Sequence, residues 1–96
     1  MNLIIRALDV SSDRFKKALG KLPEGIKAQA KQALKDLLKH PQPGYLKLEK
    51  LKGYKRPDIY TIHFTGNNSH KISFEMSSDK AIMRNVGTHK LIDRNP

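Results

Sequence analysis

The chain contains no cysteine, which excludes disulfides and any cysteine-based metal site or nucleophile and fits a reducing compartment. It also lacks a long apolar run. Leu3-Ile4-Ile5 is far shorter than the hydrophobic stretch of a secretion signal or a spanning helix, so a soluble, cytoplasmic protein is expected. Acidic residues are scarce, 9 against 19 Lys and Arg, which leaves a formal charge of +10 on 96 residues. Such a surface calls for polyanions: nucleic acid, an anionic membrane or a strongly acidic protein all neutralise Lys and Arg, and the missing apolar run weighs against the membrane. The four histidines, His40, His63, His70 and His89, are too scattered to form a zinc signature, so neither metal nor cofactor is expected. At this length residues 1–96 are expected to make a single domain around one modest core.

What is present divides into two halves by period. Met1–Leu8 reads as an opening strand, because Leu3, Ile4 and Ile5 precede the cap-like Ser11-Ser12-Asp13. Phe15, Ala18, Leu19 and Leu22 then recur at helical spacing, with Lys16, Lys17 and Lys21 toward solvent and Gly20 softening the end. Pro23 suits the first turn of a second helix, whose buried face is Ile26, Ala30, Ala33, Leu34, Leu37 and Leu38, stopped at His40-Pro41. Lys27, Lys31 and Lys35 share one face of it, read as solvated rather than as a phosphate ridge.

From Gly44 the period changes to two. Leu46 and Leu48, then Tyr60, Ile62 and Phe64, then Ile72, Phe74 and Met76 alternate with polar residues, and Ala81–His89 makes a last run. Gly66-Asn67-Asn68-Ser69 and Ser77-Ser78-Asp79-Lys80 supply the turns. The expected fold is α+β in the order β-α-α-β-β-β-β: a helical hairpin on one face of an antiparallel sheet, the other face open.

The residues that can carry chemistry lie in the second half. Lys47, Lys50, Lys52, Lys55 and Arg56, interleaved with Tyr45 and Tyr54, have the composition of an RNA-contacting edge, with Arg84 able to join from the last strand. The alternative is an edge strand guarded by lysines against aggregation. RNA cleavage without a metal requires that the 2′-hydroxyl lose a proton, that charge on the phosphate be stabilised, and that the leaving oxygen gain a proton. His89, just past a strand end, can move protons near neutrality; Asp58 is a candidate base or orienting partner; Lys52, Arg56 and Arg84 can bear on the phosphate. His63, on the polar side of its strand, points at the open sheet face or at water. His40 and His70 are read as structural or exposed.

Leu48-Glu49-Lys50-Leu51-Lys52-Gly53, Pro57-Asp58-Ile59-Tyr60-Thr61-Ile62-His63-Phe64 and Val86-Gly87-Thr88-His89, with the hairpin ending Leu-Leu-Lys-His-Pro, resemble the toxins of bacterial type II toxin–antitoxin systems in the RelE/ParE superfamily. The Gly-Thr-His ending and the Pro-Asp look most like the YafQ branch. The resemblance implies a RelE-like fold and a ribosome-dependent mRNA endoribonuclease that inhibits translation. It also implies an acidic antitoxin as partner, in a complex that binds operator DNA. It implies His89 and Asp58 as catalytic and Arg84 as phosphate-facing, and matches Lys47, Lys50 and Lys52 in kind. The chain departs from that branch in having Tyr54-Lys55-Arg56 where histidines usually stand, and Leu91-Ile92-Asp93-Arg94 where an aromatic follows the last histidine. A ParE-like gyrase inhibitor, or an inactive homologue that only binds antitoxin or DNA, would share the fold.

Overall fold

The computed structural model describes residues 3–96. Its elements run β1 (Ala7–Asp9), α1 (Asp13–Gly20), α2 (Glu24–Leu37), a short 3-10 turn (Gly44–Leu46), β2 (Glu49–Lys50), β3 (Tyr60–His63), β4 (His70–Ser77), β5 (Lys80–Thr88) and α3 (His89–Arg94). The strands form one five-stranded sheet in the order β1-β5-β4-β3-β2. The α+β class holds, and the sheet differs from the expected all-antiparallel one: β1 pairs parallel with β5, while β2 through β5 are antiparallel neighbours. Parallel pairing requires a crossover, and α1 and α2 lie in the long connection that supplies it.

The opening strand is shorter than the hydrophobic pattern suggests. Only Ala7–Asp9 pairs; Ile5 is fully buried ahead of it, and Met1 and Asn2 of the expected strand lie outside the described residues. Helix α1 begins where Ser12 caps it, its hydroxyl accepting from the Phe15 amide at 3.2 Å. Phe15 enters the core with Ala30, Ala33, Leu34 and Leu37 of α2 and Ile62, Ile72, Phe74, Ala81, Met83 and Val86 of the sheet. Tyr60 and Phe74 stack across β3 and β4 with centroids 5.7 Å apart. Lys31 and Lys35 are exposed, as a solvated face requires, while Lys27 is partly buried and meets Glu24 at 3.3 Å.

The strand expected from Gly44 is mostly absent. Gly44–Leu46 coils into the 3-10 turn, Lys47 takes a left-handed conformation (φ 46°), and only Glu49 and Lys50 pair with β3. Leu46, at the end of that coil, is fully buried. Tyr45 gives its hydroxyl to Asp36 of α2, a nearly buried carboxylate also held by Lys39 at 2.9 Å and Gln32 at 3.1 Å, so this tyrosine is tied to the helix and away from the basic loop. Burial, and then the neighbouring Asp36, push its hydroxyl up to about 12.

Both expected turns are present. Thr65 closes the β3–β4 turn by accepting from the Ser69 amide at 2.9 Å, and Ser78-Asp79 joins β4 to β5. A helix after β5 lies outside the expected order and is not signalled by the strand pattern: Thr88 ends the strand and caps α3, accepting from the Leu91 amide at 3.3 Å. No helix among the described residues is long and apolar enough to cross a membrane.

Phe15 is the anchor of α1 against the sheet. Phe15→Ala is expected to lower the unfolding free energy by about 3–5 kcal/mol, read from urea denaturation, with the m-value unchanged.

Candidate functional site

Strand register sorts the sheet into two faces. Ile72 opposite Val86 and Phe74 opposite Met83 face the helical hairpin, so Thr61, His63, Lys71, Ser73 and Asn85 face away from it. That second face was expected to be open. It is covered instead: Thr61, Ser73 and Lys71 are buried, Ile92 of α3 is 0% exposed, and Asn85 donates to the Asn95 carbonyl at 2.8 Å. Only the adjacent Leu91 and Ile92 are apolar in α3, too few for a visible stripe, and its docking also depends on polar partners.

Those partners form a cluster at one end of the sheet. Lys71 Nζ, its side chain 3% exposed, meets Asp93 Oδ1 of α3 at 2.9 Å and Glu49 Oε1 of β2 at 3.3 Å. Asp93 Oδ2 lies 2.8 Å from His89 Nδ1, one helical turn away. The His63 ring sits 5.5 Å from that of His89, centre to centre, tilted by 42°. His63 is 8% exposed, and its Nδ1 has no hydrogen-bond partner among the described residues. Burial first, then the charges of Lys71 and His89, hold the His63 imidazole below its ordinary value of 6.5, so it favours the neutral form. His89, by contrast, is about half exposed (46%). One ring is sheltered, the other open to solvent.

The basic residues lie elsewhere along the sheet. Lys50, Lys52, Tyr54, Lys55, Arg56 and Asp58 line a cleft of about 670 Å³ made by the loop between β2 and β3. Lys50 Nζ binds Asp58 Oδ2 at 3.3 Å, and Lys47 stands exposed before β2. A second cleft of about 430 Å³ gathers Arg56, Arg84, Tyr54 and Lys55 with two arginines that sequence reasoning passed over, Arg14 of α1 and Arg94 of α3. Arg84 is the extra residue of a β-bulge: Ser73 pairs with Asn85 and Phe74 with Met83, so Arg84 has no partner of its own. Its Nη1 meets Glu75 at 2.5 Å.

The candidate residues thus separate into groups. His63 and His89 are brought together, with Lys71, Asp93 and Glu49. Asp58 lies before β3 while His63 ends it, five residues along the chain and roughly 16 Å at the rise of an extended strand. Asp58 is therefore placed to hold Lys50, away from the histidine pair. His40 Nε2 donates to the Ile5 carbonyl (3.1 Å) and His70 Nδ1 bonds the Ser69 hydroxyl (2.7 Å), both structural contacts. Arg14, Glu49, Lys71, Asp93 and Arg94 were missed. The His89–Asp93 pair was the legible one: four apart, it becomes a contact once Thr88 is recognised as a helix cap.

Because the folded His63 binds its proton less readily than the unfolded one, its burial weakens the fold in acid and ceases to do so as pH rises past about 6.5. The melting temperature of the wild type is expected to fall further between pH 7.5 and 5.5 than that of His63→Gln. Equal falls in a thermal-melt series would show that His63 is not sheltered.

No family model matches the sequence, and no curated protein matches it. Solved structures do. The chain is similar to one in the RelB-RelE antitoxin-toxin complex from Methanococcus jannaschii, at 26% identity and TM-score 0.66, over 94% of this chain and 99% of that one. It is similar in fold to one in the archaeal RelE-RelB complex from Pyrococcus horikoshii OT3 (16% identity, TM-score 0.64, 90% of this chain and 96% of that one). The same holds for the conserved hypothetical protein HP0894 from Helicobacter pylori (18%, 0.63, 90% and 97%). The chain has the RelE-like fold and, on that ground, stands in the RelE/ParE superfamily.

Proposed function

We propose that this protein is the toxin of a type II toxin–antitoxin pair, a single toxin domain spanning residues 1–96 that cleaves mRNA on the ribosome, most like the YafQ branch. The observation that carries the reading is the pairing of His63 and His89 at one end of the sheet, in a chain of net charge +10. Cleavage needs one group to take the 2′-hydroxyl proton and another to give a proton to the departing 5′-oxygen; the 2′-oxygen then bonds to phosphorus as the P–O5′ bond breaks. A sheltered neutral imidazole suits the first task, and an exposed histidine, when protonated, suits the second. This scheme calls on no metal and no cofactor.

The remaining candidates hold the RNA. Lys47, Lys50, Lys52, Lys55 and Arg56 supply the cationic edge, Tyr54 a ring for a base, and Arg84 with Arg14 and Arg94 a set of guanidiniums for flanking phosphates. Asp58 acts by orienting Lys50. An acidic antitoxin is the expected protein partner, supported by the charge of +10 and by neighbours of this fold solved as antitoxin–toxin complexes. The pair is expected to bind operator DNA, and the toxin to act in the cytoplasm.

Purified protein on programmed ribosomes is expected to cut mRNA in the presence of EDTA-treated substrate, and His89→Ala to lower the rate by about 10²–10⁴-fold. Intact mRNA together with inhibited gyrase supercoiling would move the protein to the gyrase-poisoning class instead. Free protein is also expected to bind RNA with an affinity that falls steeply between 50 and 200 mM salt, as counterion release requires at about 0.7 per phosphate contacted on a single strand. Filter binding at several salt concentrations measures that slope, and a flat line would remove the electrostatic account.

A further inference from the structure

Asp93 and Lys71 take no part in the cleavage scheme above, yet each meets two charged or titratable groups. Lys71 Nζ is withdrawn from water and held between Glu49 Oε1 (3.3 Å) and Asp93 Oδ1 (2.9 Å), and the other oxygen of Asp93 meets His89 Nδ1 at 2.8 Å. The chain of contacts runs Glu49 to Lys71 to Asp93 to His89, from edge strand to sheet centre to helix. Helix stability alone does not ask for it. His89 stands in the first turn of α3 and Asp93 in the last, the reverse of the order that the helix dipole favours.

We propose that Asp93, anchored by the buried ammonium of Lys71, is a positioning residue for His89: it fixes the neutral imidazole as the Nδ1–H tautomer and turns Nε2 toward the substrate. The inference rests on the reading of His89 as the group that protonates the leaving oxygen. A carboxylate cannot donate, so the nitrogen facing Asp93 must carry the proton, and the hydrogen bond at one ring nitrogen sets the state of the other. When the P–O5′ bond breaks, O5′ takes the proton from Nε2, and the ring left behind is the Nδ1–H form already bonded to Asp93. Lys71 keeps that carboxylate from turning away. Glu49 ties the ammonium to β2, the strand that begins the basic loop.

The test reads the tautomer directly. Long-range ¹H–¹⁵N correlation spectra of the ¹⁵N-labelled full chain at pH 8 are expected to show neutral His89 as Nδ1–H in the wild type and mainly as Nε2–H in Asp93→Ala. Asp93→Glu is expected to restore Nδ1–H at least in part. Lys71→Met, which keeps the buried stem and removes the ammonium, is expected to move His89 toward Nε2–H. In the ribosome assay Asp93→Ala should lower kcat by about tenfold to a hundredfold, with KM within a factor of about two. A wild type already in the Nε2–H form, or an Asp93→Ala protein with the wild-type tautomer, overturns the proposal. If α3 detaches in Asp93→Ala, seen as lost amide protection at Asn95, the Asp93→Glu and Lys71→Met spectra decide it. If the tautomers behave as expected but the wild type cuts no RNA, the nuclease reading fails while the link from Asp93 to His89 stands.

Discussion

The structure turns on the ammonium of Lys71. It lies on the central strand β4, almost wholly out of water, and its two carboxylates come from β2 and α3, the shortest strand and the shortest α-helix described. The two carboxylates are about half exposed, but the ammonium itself has no solvent to turn to if they are removed. For α3 that is decisive: it has six residues, one fully buried apolar side chain and no stability of its own in water. The short strand β2 is in the same position, with two residues paired to β3. A single buried charge thus fixes both the helix that carries His89 and the strand that opens the basic loop.

The scarcity of acid has a related consequence. Glu24, Asp36, Glu49, Asp58, Glu75, Asp79 and Asp93 all stand within ion-pair distance of a Lys, Arg or His in the same chain. Little acidic side chain is left to neutralise the surplus cations, so the field over the two basic clefts is compensated only by what binds from outside. Mobile ions do this weakly and are released when a polyanion arrives, which favours RNA or an acidic protein in proportion to the contacts made.

The bulge at Arg84 and the helix after Thr88 belong together. Inserting Arg84 shifts the alternation of β5 by one residue, so that Met83 and Val86 both face the hairpin core, three apart rather than two. Asn85 and Gly87 are thereby turned to the face that α3 covers, and at Gly87 the backbone comes close enough to Leu91 that a Cβ would lie 2.7 Å from its side chain. Without the bulge the last strand would present the wrong residues to its own terminal helix.

Much of this was legible beforehand. The two helices, the three long strands, their turns and the core residues Phe15, Ile62, Ile72 and Phe74 follow from period and capping, because local sterics and apolar spacing act over a few residues. The histidine after the last strand and the basic run from Lys47 to Arg56 could be read in the same way. The parallel pairing of β1, the coiled path at Gly44–Leu46, the bulge at Arg84 and the docking of α3 could not, since each is settled by partners far along the chain. So the sequence by itself determined the elements, the core and the excess of positive charge. Only the tertiary structure decided which charged groups meet: whether His63 faces His89, whether Asp58 stands apart from both, and whether Lys71 is buried between two carboxylates are questions of distance in space, to which neither periodicity nor composition is sensitive.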